Sequence, residues 1–129
     1  MENLLERDQI ELDITIDETM ISCEYGELEY SFDDDYASIN AISVSYSRTR
    51  EGIGTKLVNR LETTALENGI KLIEVPCSPT REAILFWLSV GYSPTTKEER
   101  QWVRKISNSY REERWHTPSG VVVMSKTLK

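Results

Sequence analysis

The stretch SRTREGIGTKLVNRLE, residues 47–62, joins two different periodicities. Before it, Ala37 to Tyr46 (ASINAISVSY) reads as a strand. After it, Ile53, Leu57, Leu61 and Ala65 recur every four residues, and Val58 and Leu66 widen the stripe, which predicts one amphipathic helix. Between the two lie Gly52 and Gly54, with Arg48, Arg50 and Lys56 around them. A strand, a tight basic loop and a long helix present unpaired helix N–H groups to an anion, and glycine removes the side chain that would block its approach. The spacing excludes two phosphate loops. The residues before Gly54-Thr55-Lys56 do not supply GxxxxGK[ST], and Leu57 stands where GxGxxG needs its third glycine.

Working outward, Ile10 to Ile16 alternates apolar and polar residues as a half-buried strand does. Met20 to Tyr25 and Leu28 to Phe32 flank Gly26 as a hairpin, and Asp33-Asp34-Asp35 makes a polar turn. On the other side, Gly69 is a left-handed helix cap, and Ile70 to Val75 (IKLIEV) predicts a strand buried on both faces. Ser78 caps the next helix, with Pro79 at its first position and Ala83, Ile84, Phe86, Trp87 and Val90 as its apolar stripe; Gly91 stops it. Lys97 to Trp115 has helical spacing at Trp102, Val103, Ile106 and Tyr110, and Gly120 precedes a last strand beginning at Val121. No repeat, linker or low-complexity segment interrupts the chain, which predicts one domain over 1–129.

The net charge of −7 is unevenly spread. Residues 1–40 hold thirteen acids against one base, whereas the remainder holds fourteen bases against nine acids. An anionic ligand is therefore expected beside the second part and a cationic one beside the first. Segment 97–116 has six bases, four acids and three large aromatics, but the overall negative charge argues against nucleic acid. Cys23 and Cys77 lack CxxC spacing, and His116 has no second ligand near it in sequence, so no metal is expected. No apolar run is long enough to cross a bilayer, and Met1 to Asp8 lacks the features of a secretion signal, so a soluble, cytoplasmic protein is expected.

A second motif stands downstream of the glycine turn: Thr80-x-x-Ala83-Ile84-x-Phe86-Trp87-x-x-x-Gly91-Tyr92. With Thr49-Arg50-Glu51-Gly52-Ile53-Gly54 before it, and Val44 five residues ahead of the loop, it resembles the Gcn5-related N-acetyltransferase (GNAT) superfamily, whose signature joins a [QR]xxGxG loop to an NxxAxxFYxxxGF helix. The resemblance covers about Ala37 to Tyr92, with Val121 to Leu128 as a closing strand. It implies an α/β (α+β) fold with a mixed, mostly antiparallel central sheet flanked by helices and a shortened N-terminal part.

By position in the family, Ile42, Val44 and Tyr46 would border the pantetheine arm of acetyl-CoA or another acyl-CoA, and Thr49, Arg50, Glu51, Gly52, Ile53, Gly54 and Thr55 would hold its diphosphate. Phe86 and Trp87 would stand beside the thioester. The implied reaction is direct transfer of the acetyl group to a cationic amine: a small amine, a lysine or a protein N-terminus. Trp87 occupies the place of the family's proton-donating tyrosine, and an indole has no accessible proton to transfer, so Tyr92, Tyr46 or a water would replace it, or the thiolate would leave unprotonated; Tyr92 is the candidate acid. The strand before the loop carries Ser38 and Asn40 rather than an acid, which leaves Glu74 as the candidate base, with Glu27 and Glu29 behind it. Thr49 in place of Gln or Arg loses a side-chain phosphate contact. The missing N-terminal helices leave the acceptor side open or completed by a second subunit, as in a homodimer. The same departures suit an alternative: a catalytically degenerate GNAT fold that binds acyl-CoA as a sensor or partner subunit.

Overall fold

The structure, a computed structural model, describes residues 13–45 and 52–129. Seven strands form one sheet: β1 (Thr15–Ile16), β2 (Met20–Cys23), β3 (Gly26–Phe32), β4 (Ala37–Val44), β5 (Leu72–Cys77), β6 (Ser93–Pro94) and β7 (Val122–Thr127). Their spatial order is β1-β2-β3-β4-β5-β7-β6. Every neighbouring pair is antiparallel except β4 and β5. Three helices complete the described chain: α1 (Ile53–Glu67), α2 (Arg81–Ser89) and α3 (Lys97–Ser107).

Register and alternation decide which side of the sheet is covered. Residues paired across strands share a face, and the pairs Ile21↔Leu28, Tyr30↔Ile39, Ala37↔Ile73, Val75↔Met124 and Cys77↔Val122 are buried at both members. These side chains form one core with Leu57, Val58, Leu61 and Ala65 of α1, Ile84 and Trp87 of α2, and Val103 and Ile106 of α3. The opposite face carries Ser22↔Glu27, Met20↔Glu29, Ser31↔Ser38 and Glu74↔Ser125, none of them buried. No described helix covers it. Strand β5 is accordingly buried on one face only, contrary to the expectation from IKLIEV: Ile73, Val75 and Cys77 face the helices, while Leu72, Glu74 and Pro76 do not.

Local chemistry sets the boundaries. Gly69 (φ 78) and Gly91 (φ 97) both adopt the left-handed conformation expected of them. Each closes a Schellman cap, through Ile70 N–H to the Ala65 carbonyl (2.8 Å) and Tyr92 N–H to the Trp87 carbonyl (2.9 Å). Helix α2 begins later than Ser78-Pro79 predicts. Those residues form a turn, and Thr80 is the cap, its hydroxyl accepting from Ala83 N–H at 3.2 Å. Replacing Thr80 by Ala is expected to lower stability by about 1 kcal/mol in chemical denaturation; an unchanged midpoint would refute the cap's contribution. Helix α3, capped by Thr96 and Glu99, ends at Ser107 rather than running to Trp115, and residues 108–121 have no regular structure. Of the expected first strand Ile10 to Ile16, only Thr15–Ile16 pairs as a strand; Asp13 and Ile14 do not, and Ile10 to Leu12 lie outside the described residues.

Candidate active site

Strands β4 and β5 are paired only at Ala37↔Ile73 and Ser38↔Glu74. Beyond those pairs they part, and β4 shifts register against β3 at Asn40, where Glu29 faces Ala41 but Tyr30 faces Ile39. A bulge at that point turns the strand away from β5. The gap, of about 300 Å³, is lined by Ile39, Val75, Cys77 and Trp87 from the core side and reaches the exposed Asn40, Ala41 and Pro76.

The gap shares Ile42, Ser78, Ala83 and Trp87 with a cleft of about 470 Å³ outside the carboxyl ends of the two parallel strands, a common position for ligands in sheets of this kind. One wall is the edge of β4, with Ile42, Ser43 and Val44; the floor is the start of α1, with Gly52, Gly54 and Thr55. The other wall is the β5–α2 turn and α2, with Ser78, Thr80, Glu82, Ala83, Phe86 and Trp87, joined by Arg114.

The start of α1 suits an anion. Gly52 is its N-cap in the left-handed region (φ 77), no side chain caps the helix, and no acid lies in its first turn. A Cβ at Gly52 would meet nothing within 4 Å, so glycine serves the backbone conformation there. At Gly54 the reason differs: a Cβ would stand 3.2 Å from the Phe86 ring and 3.7 Å from Val44, so its absence lets α2 approach α1 and shape the cleft. Gly26 is also a close approach, since a Cβ there would stand 2.8 Å from the Ser43 carbonyl oxygen and 3.4 Å from Ile53 and Leu57.

Ile42, Val44, Gly52, Gly54, Thr55, Phe86 and Trp87 are thus brought together as expected. Ile53 is not a lining residue but is buried beneath the turn. Tyr46, Thr49, Arg50 and Glu51 lie outside the described residues. Glu74 stands at the last pair before the strands part, partly buried between Ser38 and Ser125 on the face that no described helix covers. Ser43, Ser78, Thr80 and Arg114 were missed. The position of Ser78 and Thr80 just past the end of β5 is a signal for the β5–α2 wall, but nothing in the sequence pattern singles out Arg114.

Tyr92 does not reach the cleft. The cap that Gly91 closes folds it back under α2, where its ring meets Trp87 edge-on at 5.1 Å. Its hydroxyl donates to Glu62 Oε2 at 3.1 Å, and Lys126 Nζ donates to both Glu62 oxygens (3.1 and 3.2 Å) and to the Val90 carbonyl (3.1 Å). Burial, and then the Glu62 carboxylate, hold the phenol far above its usual value. Tyr92→Phe is expected to lower stability by about 1–2 kcal/mol through the lost bond to a charged partner. Turnover of bound ligand should stay unchanged; a selective loss of turnover with stability intact would restore the acid role. Burial also pushes the Cys77 thiol up to about 12, so it stays protonated at neutral pH and is a poor nucleophile.

The sequence profile of the acetyltransferase (GNAT) family matches residues 19–92. The chain belongs to the GNAT acetyltransferase family. Solved GNAT structures share its fold at low identity. Ard1 from Thermoplasma volcanium aligns over 85% of this chain and 69% of its own at 15% identity, TM-score 0.61. The ribosomal-protein-S18-alanine N-acetyltransferase from Escherichia coli aligns over 97% and 75% at 15% identity, TM-score 0.59. The PaiA N-acetyltransferase from Thermoplasma acidophilum, solved in complex with coenzyme A, aligns over 84% and 58% at 14% identity, TM-score 0.58. The GNAT chain therefore spans between 58% and 75% of these relatives' lengths. No curated protein matches it in sequence. Among the described residues, no helix is long and apolar enough to cross a membrane, and no group of three or more His, Cys, Asp or Glu is placed to hold a metal.

Proposed function

We propose that the protein is an acyl-CoA-dependent N-acetyltransferase that passes an acetyl group directly to a cationic amine. The observation that carries this reading is the continuity of three parts: an uncapped helix start with no acid in its first turn, an apolar strand edge at Ile42 and Val44, and the gap between β4 and β5. The first suits a diphosphate, the second an extended pantetheine arm, and the third a route for an amine through the sheet. Bound there, an acyl-CoA supplies a thioester carbonyl for the amine to attack.

The chain's own residues do the rest. Amides of the α1 start, with Thr49 to Thr55 as the expected cradle, hold the phosphates; Phe86 and Trp87 exclude water from the reacting end. The amine approaches from the helix-free face, where Glu27, Glu29 and Glu74 make the field negative, and Glu74 takes its proton. The departing thiolate needs no donated proton, since a thiol pKa near 8.5 makes it a tolerable leaving group at neutral pH. A homodimer in which a second copy borders this face, leaving the gap open to the amine, would complete the acceptor side.

Trp87 favours a second reading, in which the fold binds acyl-CoA without catalysis, because no described side chain lining the cleft has the tyrosine chemistry of the family's acid. Calorimetry with acetyl-CoA and thiol release against a panel of polyamines, lysine and basic peptides separate the cases. Binding plus amine-dependent release is the expected result. Binding without release under any amine gives the second reading, and no binding at all overturns both.

A further inference from the structure

We propose that Arg114 pairs directly with a phosphate of the bound thioester, facing the start of α1 from across the cleft. This rests on reading the cleft as an acyl-CoA site. Arg114 lies outside both recognised motifs, 22 residues beyond Tyr92, yet it lines the same cleft as Gly52, Gly54 and Thr55.

Two anchors bring it there. On one side of it, Trp115 N–H donates to the Pro79 carbonyl at 2.9 Å, tying the irregular segment to the β5–α2 turn. The Trp115 ring is held by the Arg111 guanidinium 4.3 Å from its centroid and by an edge-on contact with Trp102 at 6.4 Å, with Lys105 over both indoles. On the other, Arg114 Nη2 donates to the Gly120 carbonyl at 2.8 Å, and Gly120 (φ 82) is locked in a turn by its N–H to Thr117 (3.0 Å). That single bond leaves most of the guanidinium's five N–H donors for a ligand.

Charge pairing in the segment points the same way. Glu113 is taken by Arg111 at 3.0 Å, and among the described residues Arg114 forms no ion pair with a carboxylate. The acid among the residues lining the cleft is Glu82, on α2. A cation at Arg114 offsets it and leaves the site attractive to a polyanion; without Arg114, Glu82 would repel one. A fork of N–H donors matches phosphate oxygens in a way that a lysine cannot.

The test is calorimetry of the full chain with coenzyme A at several salt concentrations, for wild type, Arg114→Ala, Arg114→Lys and Glu82→Gln. Arg114→Ala is expected to weaken binding about tenfold or more and to flatten the dependence of affinity on salt. Arg114→Lys should recover part of the loss, and Glu82→Gln should tighten binding. Because Arg114 is exposed, the variants should keep the wild-type melting temperature, which checks folding. Wild-type affinity in Arg114→Ala, or weakened affinity with an unchanged salt slope, overturns the assignment while leaving the acyl-CoA reading intact. Absence of coenzyme A binding by wild type itself overturns that reading instead.

Discussion

Replacing Glu74 by Gln is expected to reduce amine-dependent thiol release by about 100-fold at neutral pH, the size of effect a positioned general base supplies. Amines such as lysine carry a proton at pH 7, and only the neutral form attacks, so some group must accept that proton as the bond to the acetyl carbon forms. Glu74 stands where the β4–β5 pairing stops, next to the gap, on the face that no described helix covers and that carries Glu27 and Glu29. Gln keeps the shape of the side chain and loses only the ability to take a proton. Coenzyme A affinity should therefore stay within about twofold, which steady-state kinetics and calorimetry read separately. The deficit should shrink as pH rises toward the amine's own pKa, near 10 for lysine, where the acceptor is already neutral. Wild-type turnover at neutral pH, or a deficit that does not respond to pH, would remove Glu74 from the reaction.

Gly54→Val should produce the second large effect, a loss of coenzyme A affinity of about tenfold or more together with about 1–3 kcal/mol of stability, the usual cost of forcing extra carbon into a packed site. A Cβ alone would stand 3.2 Å from the Phe86 ring. Valine's two methyl groups would have to enter the cleft or push α2 away from α1. Gly52→Ala is the informative comparison. It meets no neighbour, so its cost is that of the left-handed backbone, about 1–2 kcal/mol, without any filling of the cleft. If Gly54→Val bound coenzyme A as tightly as wild type, the cleft between α1 and Phe86 could not be where the cofactor lies.

Much of this fold is written locally. In β3 the alternation of Glu27, Leu28, Glu29 and Tyr30 gives both the strand and its buried face, and the Gly91-Tyr92 pair ends α2 by the mechanism glycine implies. The glycine turn and α2 were legible as a pair, because a positive φ and a close helix approach each demand glycine at one position. Features that depend on what lies across space were not. The hydrophobic run IKLIEV could not disclose that only one side of β5 is buried. The periodic Trp102, Val103 and Ile106 continued to Tyr110 on paper, but Asn108 caps the helix first and Tyr110 is 95% exposed. Tyr92 looked free to act as an acid because sequence spacing says nothing of Glu62, 30 positions earlier. Arg114 reaches the cleft through its neighbour Trp115's bond to Pro79 and its own to Gly120, neither of which a motif records.

The pairing of β4 with β5 over two residues makes the molecule a pair of leaves on a short hinge: β1–β4 with α1 on one side, and β5–β7 with α2 and α3 on the other. Glu62 and Lys126, with the Tyr92 hydroxyl, rivet the leaves at the closed end, where Lys126 faces Ile73 across the strands. The mouth of the cleft has no such rivet among the described residues. How far it gapes is therefore set in part from behind, by contacts that never touch a ligand, and a change at the rivet should alter grip at the mouth as a shift of a scissor's pivot alters its blades.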